Sequence, residues 1–224
     1  MNWKRRLLPF AKELAYQLHV DRGFFLRYPY MFSPMQLSLL CEYITNSQRV
    51  EGAVVEVGCA LGDTTVFLNE HMTRSGIDKR YVCVDTFSGF TDRDVDHEIQ
   101  QRGKRRVRAF DAFRSNKRKW VERTLAVNDI ARVTVHESDA VSFDFSAVAP
   151  IAFCLIDVDL YLPVKSTLSR VFDLMPVGGV IVVDDCMQRP NVWDGAHQAY
   201  REFTTERELE HRVVLDKIGV VERE

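Results

Sequence analysis

The feature that most constrains the fold is the segment 53–65, Ala-Val-Val-Glu-Val-Gly-Cys-Ala-Leu-Gly-Asp-Thr-Thr. A short apolar run with one acid is followed by a turn with two glycines, and then by the apolar triplet 66–68, which begins an amphipathic helix. Gly58 lets the backbone turn sharply, and neither Gly58 nor Gly62 has a Cβ that would block a ligand. We therefore predict a strand, a tight turn and a helix, with a ligand over the turn.

The acids around this turn indicate which kind of ligand fits it. A dinucleotide fold has the spacing Gly-x-Gly-x-x-Gly, with the pyrophosphate on the helix N-terminus. Here the spacing is Glu-x-Gly-x-x-x-Gly, and Glu56 and Asp63 would repel a phosphate. S-adenosylmethionine has a sulfonium and an ammonium group and no phosphate, so it fits this turn better. The alternative is a glycine-bearing turn that binds no ligand.

Length and composition predict one substantial hydrophobic core. The chain has 224 residues, of which 46% are hydrophobic and 28% charged, and its net charge of -2 gives no reason to expect a nucleic-acid or membrane partner. No apolar run approaches the ~18 residues of a bilayer span. Five scattered cysteines without a C-x-x-C pair are typical of a reducing compartment. We therefore expect a cytoplasmic protein, and leave open whether it forms a homo-oligomer.

Strand and helix patterns alternate along the chain. The predicted strands are 53–57, 81–85, 131–137, 151–157, 180–185 and two short ones, 211–215 and 218–222. Ser33-Pro34-Met35-Gln36 has the form of a capping box before a helix that runs to about residue 45. This alternation predicts βαβ units in an α/β fold with a doubly wound, mostly parallel seven-stranded sheet. Residues 1–45 are predicted to form an N-terminal helical extension packed on the core, and residues 46–224 the main domain.

The segment 86–123 is rich in charged residues. We predict a loop beside the ligand site up to Gly103, because long loops in compact domains are often lids or binding segments. In 104–123, lysine and arginine alternate with apolar residues. One interpretation is a helix with an apolar stripe and a solvated basic face. The other is a segment that attracts an anionic substrate or partner.

Acidic residues end each of the first five predicted strands. They are Glu56, Asp85, Asp139, Asp157, Asp159, Asp184 and Asp185. In a doubly wound sheet, ligands bind at the carboxyl ends of the strands. Because crowded carboxylates repel one another, a bound cation would stabilise them.

Three of these acids, Asp157, Asp184 and Asp185, follow strands that we expect to be neighbours. Carboxylates without nearby His or Cys favour a hard ion such as Mg²⁺ over zinc. Adjacent side chains in an extended strand point to opposite faces, so Asp184 and Asp185 share an ion only where the strand has begun to turn. Alternatively, Asp184 bonds locally and only Asp185 faces the site.

At these positions the sequence resembles the macrocin O-methyltransferase family. The resemblance runs from about Tyr30 to the C-terminus. It rests on Glu56-x-Gly58, Val84-Asp-Thr-Phe-Ser-Gly89, Ile156-Asp-Val-Asp-Leu-Tyr161, Gly178-Gly179, Val183-Asp-Asp185, Gly195-Ala196 and Phe203. It implies a class I methyltransferase (Rossmann-like) fold, S-adenosylmethionine, and methylation of a hydroxyl, as on sugars of natural products. It also implies a divalent metal at Asp157, Asp184 and Asp185. The basic segment 104–123 and a short C-terminal region depart from the family pattern and leave the substrate undetermined.

Roles follow for the individual site residues. Glu56 and Gly58 are expected to hold the methionine part of the cofactor, and Asp85 the ribose. Ser138 and Asp139 are expected at the adenine edge. The full predicted cofactor site is Glu56, Gly58, Gly62, Asp85, Ser88, Ser138, Asp139 and Asp157.

The predicted chemistry is a proton transfer followed by a methyl transfer. Metal coordination would lower the pKa of the substrate hydroxyl, a carboxylate would receive the proton, and the alkoxide would attack the sulfonium methyl group. Asp157 is our first choice for the catalytic base because it would lie between cofactor and metal. His197 is the alternative base, although a partly exposed helix residue is the simpler interpretation.

The predicted function is an S-adenosylmethionine-dependent, Mg²⁺-dependent O-methyltransferase that acts on a hydroxyl of a small molecule, such as a sugar or another natural product. Two other classes stay open. One is a nucleotide-cofactor oxidoreductase on a similar sheet, which tight nicotinamide-cofactor binding would reveal. The other is a non-catalytic binding or assembly protein that keeps the fold, which the absence of turnover would reveal.

Overall fold

The computed structural model describes residues 3–19 and 27–224. The chain divides into two compact units, 1–31 and 32–224. The smaller unit contains helix α1, Trp3–Gln17, in the predicted N-terminal extension, part of which lies outside the described residues. Helix α2, Pro34–Asn46, belongs to the larger unit. A domain boundary after residue 45 and the packing of the extension on the core stay predictions.

The larger unit is built on one seven-stranded sheet. Its strands are β1 Ala53–Val57, β2 Tyr81–Asp85, β3 Val133–Glu137, β4 Ile151–Ile156, β5 Val180–Val183, β6 Arg212–Val214 and β7 Ile218–Glu222. The order is β3-β2-β1-β4-β5-β7-β6, with β1 to β5 parallel and β7 antiparallel to both β5 and β6. The strand order reverses between β1 and β4, where such folds bind ligands. The predicted doubly wound, mostly parallel sheet is therefore confirmed.

Helices connect the parallel strands. They are α3 Asp63–Arg74, α4 Asp92–Gln100, α5 Arg118–Val127, α6 Tyr161–Phe172 and α7 Asp194–Glu206. The predicted capping box is present at the start of α2: Gln36 N donates to Ser33 Oγ at 3.3 Å, and Ser33 N donates to Gln36 Oε1 at 2.8 Å. In the described ranges, no helix has both the length and the apolar character to cross a membrane.

Both faces of the sheet are covered, which explains the continuous apolar runs of its strands. On one face, Val55 and Cys154 belong to a core cluster with residues of α6 and α7. On the other face, Glu56 meets α3 through the Thr65 hydroxyl. Both central strands, β1 and β4, are buried along their whole length.

Two predictions in the segment 86–123 are wrong. The stretch predicted as a loop contains α4, which Thr91 caps by accepting a hydrogen bond from Asp94 N at 3.2 Å, and which buries Val95. The basic stretch is not one helix. Residues 104–117 form an irregular chain with one short 3₁₀ turn, and α5 begins only at Arg118. Packing against the loops at the sheet edge overrides the helical pattern here.

Candidate active site at the carboxyl edge of the sheet

The glycine-rich turn lies directly against the end of β4. Gly58 has a φ of +94°, and a Cβ at this position would lie 1.9 Å from the carbonyl oxygen of Asp157. Gly58 N donates to Val84 O at 2.9 Å, which ties the turn to β2 as well. Gly62, with a φ of +85°, is the N-cap of α3. Both glycines are therefore required by the backbone, and the turn lies where β1, β2 and β4 end.

Asp85 holds this turn with both of its carboxylate oxygens. Oδ2 accepts a hydrogen bond from Ala60 N at 2.8 Å, and Oδ1 accepts one from Phe87 N at 2.7 Å. Burial raises the pKa of Asp85 above its usual value, although both N–H groups oppose this shift. The carboxylate is fixed at the end of β2, where a ribose is expected, and that role stays a prediction.

The Glu56 side chain points into the core between β1 and α3. Its Oε2 accepts hydrogen bonds from Thr65 Oγ1 at 2.6 Å and from Tyr81 OH at 2.8 Å, and Cys83 Sγ lies 3.6 Å away. Only 1% of the residue is exposed, and burial raises the pKa of Glu56 to about 7. Core groups therefore surround the carboxyl, and its contact with the methionine part of a cofactor stays a prediction.

The residues predicted for the adenine edge lie beside α4. Asp139 Oδ2 pairs with Arg93 Nη1 of that helix at 2.9 Å. Ser138 N donates to Asp85 O at 2.9 Å, which joins the ends of β2 and β3. Ser88 is exposed on the loop after β2. Arg93 was missed in the sequence analysis because its helix was predicted as a loop.

Four aspartates and one lysine form a cluster beyond β4 and β5, which are neighbours as predicted. Asp184 Oδ2 accepts a hydrogen bond from Lys217 Nζ at 2.7 Å, and Asp185 Oδ1 lies 3.8 Å from the same nitrogen. The other two acids are Asp157 and Asp159. Asp185 lies beyond the end of β5 and has a φ of +56°. The chain has therefore left the extended conformation here, which is the condition for Asp184 and Asp185 to face the same site.

The pKa values of the cluster reflect its crowding. Loss of solvation, followed by the charges of Asp184 and Asp159, raises the pKa of Asp157 well above its usual value. Loss of solvation and the nearby Asp185 do the same to the pKa of Asp159. Burial raises the pKa of Asp184 to about 6, although Lys217 opposes this shift. Within the described chain, Asp184 Oδ1 is buried and has no hydrogen-bond partner. The cluster therefore holds more carboxylate oxygen than Lys217 can pair.

The carboxylate oxygens of the cluster are of the chemical type that binds a hard cation. Oxygen ligands suit Mg²⁺, and the unpartnered Oδ1 of Asp184 is a free ligand atom next to two further acids, Asp157 and Asp185. As the side chains stand, however, no group of three or more His, Cys, Asp or Glu residues in the described ranges is arranged to hold a metal ion. Lys217 provides the positive charge instead.

Asp159 was among the acids predicted at the strand ends, from the Asp-x-Asp spacing after β4, but it was given no cofactor or metal role. Lys217 was missed, because it lies between β6 and β7 and follows no local pattern. The predicted alternative base, His197, lies on α7 with its ring 5.6 Å from that of His211. Burial, followed by the charge of His211, lowers the pKa of His197. The base assignments of Asp157 and His197 stay predictions.

Solved O-methyltransferases share this architecture. The O-methyltransferase NovP superposes with a TM-score of 0.67 at 16% sequence identity, over 98% of each chain. CalS11, a calicheamicin methyltransferase, gives a TM-score of 0.68 at 18% identity, over 97% of this chain and 89% of the other. An apo structure of CalS11, described as a TDP-rhamnose 3'-O-methyltransferase, gives a TM-score of 0.58 at 16% identity, over 97% of this chain and 90% of the other. TomG from Streptomyces achromogenes is an O-methyltransferase of tomaymycin synthesis that was solved in complex with S-adenosylmethionine. It gives a TM-score of 0.54 at 16% identity, over 97% of this chain and 89% of the other. At these identities the likeness establishes the fold.

The sequence itself establishes the family. A comparison with curated proteins found no match. The family model described as macrocin-O-methyltransferase (TylF) matches residues 35–224, which include every strand of the sheet and every predicted site residue. The resemblance seen in the sequence motifs is thereby confirmed. The chain therefore belongs to the macrocin-O-methyltransferase family and is an enzyme of the O-methyltransferase class.

Proposed function

We propose that this enzyme transfers the methyl group of S-adenosylmethionine to a hydroxyl of a small molecule, such as a sugar or another natural product, with the aid of Mg²⁺. The observation that carries the proposal is the contact between the glycine-rich turn and the acidic cluster. A Cβ on Gly58 would lie 1.9 Å from the carbonyl of Asp157, so a ligand over the turn lies next to the carboxylates. A methyl donor and an acidic acceptor site are thus adjacent.

The cofactor would lie across the ends of β1, β2 and β3. Asp85 supports the turn and would meet the ribose hydroxyls, with Ser88 on the following loop. Ser138 and Asp139 would border the adenine. Glu56 would support the methionine part from beneath the turn, because its carboxyl already accepts hydrogen bonds from Thr65 and Tyr81 in the core. TomG, of the same fold, has been solved with S-adenosylmethionine, which supports this choice of cofactor.

A divalent ion would be held by Asp157, Asp184 and Asp185, in competition with Lys217 for the Asp184 carboxylate. Bound there, Mg²⁺ would lower the pKa of the acceptor hydroxyl. The chain's own contribution is the proton acceptor. Without a metal, loss of solvation and neighbouring carboxylates raise the pKa of Asp157, which suits it to receive a proton, whereas a bound Mg²⁺ would oppose this shift. Asp159 shares this property. We also propose a reducing, cytoplasmic location, supported by five free cysteines.

Isothermal titration with S-adenosylmethionine and S-adenosylhomocysteine, with and without Mg²⁺, tests the cofactor. We expect affinities of roughly micromolar order. A folded protein that binds neither molecule would overturn the proposal, and tight binding of a nicotinamide cofactor would select the oxidoreductase class.

The metal is tested separately with Asp185→Asn. We expect this variant to bind the cofactor as the wild type does, and to lose the Mg²⁺-dependent part of methyl transfer to a panel of hydroxylated acceptors. Glu137→Gln, which removes an exposed carboxyl from the last residue of β3, is the matched control. Wild-type activity that is unchanged by a chelator would remove the metal from the proposal.

A further inference from the structure

The segment 104–117, called the basic strap below, crosses the carboxyl edge of the sheet. At its start, Lys104 Nζ donates to Asn191 O at 2.9 Å, in the segment between β5 and α7. At its end, Asn116 Nδ2 donates to Ala60 O at 2.5 Å, in the glycine-rich turn after β1. The basic strap therefore reaches from the side of the acidic cluster to the cofactor turn.

The middle of the basic strap is fixed by aromatic packing. Phe110 is fully buried in a cluster with Val95 of α4 and with Leu160, the residue after Asp159. The Phe113 ring lies 5.8 Å from the ring of Phe90, in the loop after β2. A Cβ on Gly89 would lie 2.6 Å from the carbonyl oxygen of Ala112, so the strap touches this loop with its backbone. It contacts the loops that follow β1, β2, β4 and β5, which are the loops that surround the proposed reaction site.

The basic strap carries a strong excess of positive charge. It contains six basic residues and one acid, in a chain whose net charge is -2. Lys104 pairs with Asp194, and Arg106 and Arg114 share the single acid of the strap. Arg105 and Arg108 are exposed, and in the part of the chain that the structure describes neither has an ion-pair partner. Two exposed guanidinium groups, three residues apart on the basic strap, are therefore free of ion pairs within the described chain.

We propose that Arg105 and Arg108 bind a phosphate or diphosphate group of the methyl acceptor, which makes the acceptor a phosphorylated or nucleotide-linked sugar. This rests on the proposed function, because it assumes that the acceptor hydroxyl is directed to the acidic cluster. That cluster repels an anionic substrate, so such a substrate needs cations at the rim, whereas a neutral acceptor needs none. Arginine suits this task because its planar fork matches phosphate oxygens bidentately. The TDP-rhamnose named for CalS11, a protein of the same fold, belongs to this substrate class.

The test compares two double variants of the full chain. Arg105→Ala/Arg108→Ala removes the two arginines of the strap that have no ion pair and leaves Lys117, which lies over the Trp120 ring. Lys119→Ala/Arg123→Ala is the control, since it removes the same charge from exposed positions on α5, outside the strap. Because all four side chains are exposed, we expect both variants to fold, and circular dichroism and S-adenosylmethionine titration verify it.

Inorganic pyrophosphate and thymidine diphosphate are the probes, titrated calorimetrically at low and at physiological salt. We expect the wild type and the α5 variant to bind both probes alike, and the strap variant to bind them at least about tenfold more weakly. The salt dependence should also be smaller in the strap variant. Tighter binding of thymidine diphosphate than of pyrophosphate supports a nucleotide-linked acceptor, and equal binding supports a simple sugar phosphate.

Three results would overturn the inference while leaving the proposed function intact. The first is a protein that binds S-adenosylmethionine but neither probe. The second is an equal loss of probe binding in both double variants. The third is tighter binding of a short RNA oligonucleotide that both variants weaken, which would indicate a general polyanion surface. Failure to bind S-adenosylmethionine instead refutes the proposed function itself.

Discussion

The buried Glu56 gives the sharpest prediction about stability. Its carboxyl is enclosed by Thr65, Tyr81 and Cys83, and only 1% of the residue is exposed. Replacement by glutamine keeps the side-chain length and a carbonyl oxygen that accepts hydrogen bonds; it removes the ionisation and puts an NH2 group in place of the second oxygen. We therefore expect Glu56→Gln to fold and to differ from the wild type mainly in the pH dependence of its stability.

The size and sign of the difference follow from proton linkage. Burial raises the pKa of Glu56 from its ordinary value of 4.5 to about 7 in the folded protein. Between these values the folded state keeps a proton that the unfolded state has lost, so Glu56 destabilises the wild type as the pH rises through this window. A shift of this size corresponds to about 3 kcal/mol in the free energy of unfolding. The contribution is fully present below the unfolded pKa and is lost as the pH rises through the folded pKa.

Urea unfolding of both proteins across this pH window is the assay. The free energy of unfolding of Glu56→Gln minus that of the wild type should increase by about 3 kcal/mol between pH 4.5 and pH 8. Other titrating groups are common to both proteins and cancel in this difference. Glu137→Gln, at an exposed position, should follow the wild-type profile. Parallel curves for Glu56→Gln and the wild type would refute the reasoning.

Three further predictions concern the turn and the helix that borders it. Asp85→Asn should weaken S-adenosylmethionine binding by about 1–3 kcal/mol in calorimetry, because the charge that meets the turn N–H groups is lost; unchanged affinity would end its assignment. Gly58→Ala should prevent stable folding, because its Cβ would lie 1.9 Å from a backbone carbonyl oxygen. The control is Gly103→Ala, whose Cβ would have no other atom within 4 Å. Because Gly103 has a φ of +68°, this variant should lower the free energy of unfolding by about 1 kcal/mol, measured by thermal unfolding. Glu98→Gln removes one of the two carboxylate partners of the buried Arg102, which keeps Asp194, and should cost about 1–3 kcal/mol. Glu70→Gln, in an exposed pair, should cost less than about 1 kcal/mol, and equal losses in urea unfolding would contradict the buried pair.

The sheet could be predicted from the sequence because each strand is defined by short-range patterns. Buried parallel strands read as apolar runs, and β2 and β7 begin and end at the predicted residues. The acids after β4 and β5 were placed together by topology alone, since neighbouring parallel strands bring their carboxyl ends to one edge.

Contacts between residues distant in sequence could not be predicted in the same way. Lys217 reaches Asp184 over 33 positions, and Glu56 meets Tyr81 over 25. The periodicity of apolar residues within a helix or strand does not indicate such pairs. Helix α4 was missed because its charged sequence resembles a solvated loop. Its buried residues include Glu98, which accepts a hydrogen bond from Tyr161 N of α6, and such a partner is not visible in the local sequence.

The position of β7 has a consequence for how the site is assembled during synthesis. This strand follows all the others in sequence, yet it pairs between β5 and β6. While the nascent chain is still on the ribosome, β5 therefore presents an unpaired edge, a feature that promotes association with other chains. Lys217 directly precedes β7, so Asp184 gains its ammonium partner only when this strand docks. We therefore expect the sheet to close and Asp184 to gain its ion pair in the same late step of folding, and a chain that ends before Lys217 to lack both.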